Sequence, residues 1–398
     1  MNFSARTSWN REQNPLALLL ENLRKERKTV FDLTISNPTE CGIQYPVKEI
    51  ISAFNKPEIA KYKPDPRGLF FARQTIKQYY LNHSVSVKEE NIFLTASTSE
   101  SYSLLFTLLC NPGESILAPR PSYPLFEYLA QITGVSLKYY PLRYMGGWEI
   151  DLEALKQSIS SSTKAIILIH PHNPTGMFLK KQTFEEIISI ANRHQITLIV
   201  DEVFLDFQLV QNEDGMSTTV NTSDVLTFTL SGISKSLGLP QLKLGWIVIS
   251  GNEKFTHEVG ERLEILLDTY LSVNTPVQLA LPELSWCGES IRKGILERIK
   301  SNYVYVKEFF SNSNNKKSYP CSVLESEGGW YCIIKVPRTQ TAEAWAIELL
   351  KKHNILVYPG YFYDFDDDGF LVLSLLTEDS TFQNSLNILA EHIYESVR

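Results

Sequence analysis

From about residue 90 onward the sequence alternates short apolar runs with stretches of helical periodicity, and this alternation restricts the fold more than any other feature. "NIFLTA" (91–96), "ESILAP" (114–119), "KAIILIH" (164–170), "ITLIV" (196–200), "VLTFTL" (225–230) and "LGWIVIS" (244–250) read as strands. Three of these are near-continuous hydrophobic runs, the pattern of strands buried on both faces. Between strands, "STSESYSLLFTLLC" places Leu104, Leu105, Leu108 and Leu109 at helical spacing, and "KQTFEEIISIANRH" (181–194) is an amphipathic helix. The expectation is an α/β fold with a mostly parallel sheet between helices.

After about residue 285 the texture changes. "SIRKGILERIKSNYVYVKEFF" predicts a long charged helix, followed by a polar break, "SNSNNKKSYP" (311–320). Strand patterns "SVLES" and "WYCIIKV", helix "AEAWAIELLKKH", strands "ILVYP" and "FLVLSLL" and a closing helix then make an α+β segment. A chain of 398 residues is long for one core. The expected division is an N-terminal arm (1–44) packing on the small domain, a large domain (45–285) and a smaller C-terminal domain (286–398).

Charge narrows the function classes. The net charge of -7 comes with no offsetting basic cluster, which argues against a nucleic-acid or membrane partner. The five cysteines are scattered without CxxC spacing, as expected of core thiols in a reducing compartment. "MNFSARTSWNREQNP" has no apolar core of a secretory leader, and no apolar run reaches the ~20 residues of a membrane span. A soluble cytoplasmic protein is expected.

In an open α/β sheet, ligands bind beyond the carboxyl ends of the strands, so the residues that follow each strand carry the functional reading. "KAIILIH" is followed by Pro171-His172-Asn173-Pro174-Thr175-Gly176, a turn that aims an amide. "ITLIV" is followed by Asp201, "VLTFTL" by Ser231 and then Lys235, and "ESILAP" by Arg120-Pro121-Ser122-Tyr123. After "NIFLTA", Ser97, Thr98 and Ser99 open a helix whose free N–H groups suit a phosphate. Taken singly, Asp201 is as well explained as a helix cap, Asn173 as a turn former and Lys235 as a solvated loop lysine. Together they place a phosphate cradle, a stacking ring, an amide, a buried carboxylate and a lysine on one edge. Pyridoxal phosphate chemistry uses that set: lysine for the Schiff base, and a carboxylate to keep the pyridine nitrogen protonated.

The ordered motifs "YKPDPRGLFFAR" (62–73), "TASTSE", "PSYP", "HNPTG", "VDEVF" and "SKSLGLPQLKLGW" make the chain resemble a class I/II aminotransferase of the fold-type I pyridoxal-phosphate superfamily. The resemblance runs over essentially the whole length. It implies that Lys235 carries pyridoxal 5'-phosphate, that Asp201 pairs with the pyridine nitrogen, that Asn173 bonds the phenolic oxygen and that Tyr123 stacks on the ring. It further implies that residues 97–99, with Ser234 and Lys243, bind the phosphate. Tyr62 would reach the phosphate of a neighbouring subunit, hence a homodimer with shared sites. The implied partners are a small-molecule amino donor and a keto or aldehyde acceptor. A C–S lyase on the same scaffold is the alternative, and a non-catalytic cofactor-binding protein a further one.

Three positions depart from the family pattern. Position 204 is Phe where the family commonly has a Tyr bonded to the phenolic oxygen, a loss of about 1.5–3 kcal/mol for one charge-assisted bond. Position 243 is Lys where Arg is commoner, which keeps charge and loses the bidentate fork. The stretch matching the family's carboxylate-binding Arg reads Val372-Leu373-Ser374, and no lysine or arginine occurs between Lys352 and Arg398. The α-carboxylate is then held by another cation, or the donor has none. Arg67, which follows Tyr62, and Arg120, which precedes Tyr123, are the candidate cations, with Asn37 a further substrate-side candidate. No metal is expected: "DFDDDG" (364–369) lacks the closing Glu of a calcium loop, and His170 and His172 have no third ligand nearby.

Overall fold

The computed structural model describes residues 3–311 and 317–398, so the expected polar break at 311–320 lies partly outside the described residues. A short strand, β1 (Phe31–Asp32), stands apart from the main sheet. The main sheet comprises β2 (Ile92–Thr95), β3 (Ser115–Arg120), β4 (Ser136–Tyr144), β5 (Trp148–Ile150), β6 (Thr163–Ile169), β7 (Thr197–Asp201), β8 (Thr227–Gly232) and β9 (Gly245–Ser250), in the order β2-β9-β8-β7-β6-β3-β4-β5. The strands β4, β3, β6, β7 and β8 run parallel. The pairings of β9 with β8 and with β2, and of β5 with β4, are antiparallel. The chain returns from β4 to the far side of β3, so the carboxyl ends of β3 and β6 lie beside a switch in strand order, where such sheets bind ligands.

Alternation along each strand loads both faces of the sheet. In β6, Ala165, Ile167 and Ile169 pack with Tyr102, Leu105 and Phe106 of helix α4 (Thr98–Leu109), the face also covered by α5 (Leu125–Thr133) and α9 (Glu253–Tyr270). Ile166 and Leu168 face Phe184 and Ile187 of α7 (Lys181–His194), with Leu155 of α6 (Leu152–Ser158). Each such side chain taken from water stabilises the fold by about 1.5–3 kcal/mol. A sheet clothed on both sides exposes little but its strand ends. The hairpin of β4 and β5 and the helix α9 have no counterpart among the expected elements.

The third core gathers the rest of the chain. Helices α2 (Val47–Ala53) and α3 (Phe70–Asn82) pack on α10 (Thr275–Ser311). The expected charged helix is the distal part of α10, which starts well before residue 285 and runs unbroken through the expected division there. A four-stranded antiparallel sheet follows, ordered β10 (Ser322–Val323), β11 (Tyr331–Lys335), β14 (Phe370–Ser374) and β13 (Tyr358–Pro359). The run "ILVYP" divides between two sheets: β12 (Ile355–Leu356) pairs with β1, and β13 with β14. Helices α11 (Ala342–His353) and α12 (Asp379–Ser396) cover this region, and α1 (Pro15–Lys25) rests on α11. The N-terminal segment is tied on by Ser374 N–H donating to Leu33 O at 2.6 Å and Thr377 Oγ1 donating to Asp32 O at 3.0 Å. Among the described residues no helix is long and apolar enough to cross a membrane.

Ser122 N–H donates to Tyr363 O at 2.8 Å, and Phe178 N–H donates to Glu327 Oε2 at 2.8 Å. These bonds seat the small sheet against the carboxyl edge of the large one.

Candidate active site

Lys235 follows β8 on a single helical turn, α8 (Ile233–Ser236), and its Nζ lies 4.6 Å from the ring centroid of Trp330 and 5.6 Å from that of Phe204. The two rings meet edge to face at 5.3 Å. Burial pulls the Lys235 amine down to about 8, while the Asp201 carboxylate opposes that shift. A lysine held this way has a far larger neutral, nucleophilic fraction near neutrality than a surface lysine.

Asp201 ends β7 with its side chain buried. Burial raises its carboxyl to about 6, against the pull of the Val203 N–H, the Tyr102 hydroxyl and Lys235. The Val203 N–H donates to Oδ1 at 3.0 Å and the Tyr102 hydroxyl to Oδ2 at 3.0 Å. Asp201 caps no helix in this structure.

Ser97 is the N-cap of α4, its Oγ accepting from Glu100 N–H at 3.2 Å, which leaves the N–H groups of Thr98 and Ser99 pointing out of the first turn. The start of α4 approaches β8 and β9 closely because position 245 is glycine: an added Cβ would lie 3.1 Å from Ser231 O and 3.2 Å from the Ser97 carbonyl carbon. Ser234 sits beside Lys235 on α8. Lys243 is exposed in a left-handed conformation (φ 52°), with no ion-pair partner among the described residues.

Polar atoms at this edge that are buried without a hydrogen-bond partner among the described residues include Ser122 Oγ, His172 Nε2, Asn173 Oδ1 and Ser231 Oγ. Such atoms are costly unless a ligand satisfies them. Tyr123 is 46% exposed. The residues therefore fit a phosphorylated, ring-bearing carbonyl cofactor: a desolvated amine, a buried carboxylate, a helix start with free N–H groups and unpartnered serine hydroxyls able to donate. Sequence reasoning missed Tyr102 and Trp330 as parts of this edge, since each reaches it only through tertiary packing; Ser231 was legible from its place after an apolar run.

The remaining candidates have the following surroundings. Tyr62 is 83% exposed and borders a surface hollow with Ser272, Asn274 and Gln278. Asn37 Oδ1 caps its own short turn, accepting from Thr39 N–H at 3.1 Å and Oγ1 at 2.8 Å. Arg67 is engaged elsewhere in this structure: its Nε pairs with Glu264 at 2.6 Å, its Nη1 donates to Glu90 O at 3.0 Å, and its guanidinium lies over Phe93. Arg120 is likewise occupied, donating from Nε to Asp364 O at 3.1 Å and from Nη1 to Asp366 at 3.1 Å. Within the acidic run, Asp367 pairs with Arg338 and Asp368 accepts from Ala342 N–H. His170 Nδ1 accepts from Leu179 N–H and Nε2 contacts Met216 O, both inside the core.

The family model for aminotransferase class I and II matches residues 28–385. The chain belongs to the class I and II aminotransferase family. This family is pyridoxal-phosphate-dependent, which agrees with the edge described above. The glutamate-pyruvate aminotransferase AlaA of Escherichia coli (strain K12) is 29% identical over 68% of the chain and 66% of its own length. The chain thus spans slightly under two thirds of that relative. Tyrosine aminotransferase of Mus musculus is 28% identical over 78% of the chain and 67% of its own length. The same fold is seen in an alanine aminotransferase from Pyrococcus furiosus, with TM-score 0.87 and 24% identity over 99% of this chain and all of that one (100%). An aminotransferase from Escherichia coli superposes with TM-score 0.85 and 23% identity over 99% of this chain and 98% of that one.

Proposed function

We propose that this protein is a pyridoxal-phosphate-dependent aminotransferase, moving an amino group from an amine donor to a keto or aldehyde acceptor in two half-reactions at one site. The observation that carries the reading is Lys235, a desolvated primary amine set against Trp330 and Phe204 with Asp201 acting on it, at the carboxyl edge of a sheet of this family. The cofactor, when bound, supplies a carbonyl for the lysine and an electron sink for the carbanion left when the substrate loses its proton.

In this reading Lys235 Nζ tethers the cofactor between turnovers and, once displaced, takes up and returns the substrate proton. Its aromatic neighbours exclude water, and its lowered basicity suits proton transfer near neutrality. Asp201, held by Tyr102 and the Val203 N–H, keeps the pyridine nitrogen protonated. Asn173 would donate its amide N–H to the phenolic oxygen, and Phe204 brings no hydroxyl to share that role. Tyr123 stacks on the ring. The N–H groups of Ser97, Thr98 and Ser99, with Ser234 and Lys243, hold the phosphate.

The reading includes a homodimer with shared sites, and exposed apolar side chains suit it. Helices α2, α3 and α10 expose Ile51, Phe70, Phe71 and Trp286, an apolar set suited to a second copy, with Tyr62 free to reach across. The free cysteines fit a cytoplasmic setting. A C–S lyase would use the same residues, and no observation favours it.

The test is borohydride trapping of the yellow holoprotein followed by peptide mapping, and then an amino-donor panel read by loss of visible absorbance and release of a keto or aldehyde product. The adduct is expected on Lys235 and is lost in Lys235→Ala. Trapping on another lysine, or a pyruvate-plus-thiol product in place of amino transfer, would overturn the proposal.

A further inference from the structure

Val372 is 1% exposed in β14, directly opposite Ile333 in β11 and Tyr358 in β13. One pair further along, Tyr331 faces Ser374. Because side chains alternate along a strand, Val372, Ser374, Ile333, Tyr331 and Tyr358 share one face of the small sheet. That face meets Tyr363, whose ring lies 6.0 Å from Tyr331 and 6.5 Å from Tyr358. Tyr123, at the end of β3, is brought towards this face by its neighbour Ser122, whose N–H donates to Tyr363 O at 2.8 Å. Next to Tyr123, the fully buried Ser122 Oγ has no partner among the described residues, although its own N–H is fixed to Tyr363 O.

The wall where the family places an arginine is thus built from phenols, the unpartnered Ser122 hydroxyl and a valine, the Ser374 hydroxyl being taken by Ile35 O and Leu376 N–H. Burial holds Tyr331 and Tyr363 above the ordinary phenol value, so they stay neutral and can both donate and accept. Arg67 and Arg120 are committed to Glu264 and Asp366. Lys335 lies on the same face but at its exposed outer end, opposite Phe370. A carboxylate against this wall only accepts hydrogen bonds and brings an uncompensated charge. A hydroxyl matches donors and acceptors together.

We propose that this wall selects an amine whose amine-bearing carbon carries a neutral hydroxylated substituent, a β-amino alcohol or amino sugar, in place of a carboxylate. The inference rests on the aminotransferase reading above. In the donor half-reaction the amine-bearing carbon is oxidised by two electrons and its proton passes to Lys235. Water supplies the carbonyl oxygen, and the nitrogen and electron pair pass to the cofactor and then to the carbonyl acceptor.

The test uses the holoprotein with two matched pairs, serine against serinol and phenylalanine against phenylalaninol, read by bleaching of the visible absorbance and by product. The amino alcohols should exceed their amino acids in kcat/KM by at least about tenfold. Tyr358→Phe should erode that ratio, Val372→Arg should reverse it, and Lys335→Ala should leave it unchanged. Amino acids that react as fast as their alcohols, or a ratio that collapses in Lys335→Ala and not in Tyr358→Phe, would overturn the inference and leave the aminotransferase reading standing. If neither class bleaches the absorbance, the aminotransferase reading falls, and this inference with it.

Discussion

The Tyr102 hydroxyl, projecting from the buried side of α4, donates to Asp201 Oδ2 at 3.0 Å. Asp201 thereby keeps a charged form that burial opposes, and its carboxyl settles at about 6. Removing that donor withdraws about 1.5–3 kcal/mol of support from the carboxylate. Loss of a hydrogen bond to the charged form raises a carboxyl pKa, so in Tyr102→Phe more Asp201 is protonated at any pH near 6. The acid limb of the kcat/KM profile should move to higher pH, and cofactor retention should weaken most on that side. A profile that superposes on the wild type would reject the role.

Lys235 sets a second pH dependence. Only the neutral amine attacks a carbonyl, so the rate of cofactor capture by apoprotein should rise with pH and reach half its maximum at about 8. The Asp201 carboxylate acts to raise that value, so Asp201→Asn should shift the midpoint to lower pH. Stopped-flow absorbance across pH 6 to 10 reads both (~two units either side of 8). A midpoint near that of an ordinary lysine would mean the amine is not desolvated in solution.

Arg67 carries a stability prediction rather than a catalytic one. Its ion pair with Glu264 is partly exposed, with side-chain accessibilities of 27% and 38%. Such a pair contributes at most about 1 kcal/mol. Arg67→Ala should lower the thermal midpoint by a few degrees and leave donor preference unchanged. A loss confined to carboxylate-bearing donors would restore it as a clamp.

Tyr62 is read through the assembly. If it reaches a neighbouring subunit, Tyr62→Phe should weaken cofactor retention by one charge-assisted bond, about 1.5–3 kcal/mol, without changing the sedimentation of the dimer. A fully active monomer in the ultracentrifuge would remove the basis for this expectation.

What was legible in the sequence was local. The helix Lys181–His194 spans the residues its periodicity predicts, and the strands of the parallel sheet fall within a few residues of their apolar runs. Periodicity and continuous apolarity depend on a residue's own neighbours, so they survive without knowledge of the fold. The β4–β5 hairpin escaped because "SLKYYPLRY" mixes polar and apolar residues around a proline, and only pairing with β3 makes it a strand. The run "ILVYP" looked like one strand, and tertiary contacts divide it between two sheets. At the candidate site, Lys235, Asp201 and Asn173 stand at strand ends, where position in the chain already implies position in space. Tyr102 and Trp330 do not: their partners lie far away in the chain, and only packing brings them together. The same holds for the candidate cations. Arg67 and Arg120 looked free in sequence because an arginine's partner is set by which carboxylate or carbonyl the fold delivers to it, and here the fold delivers Glu264 and Asp366.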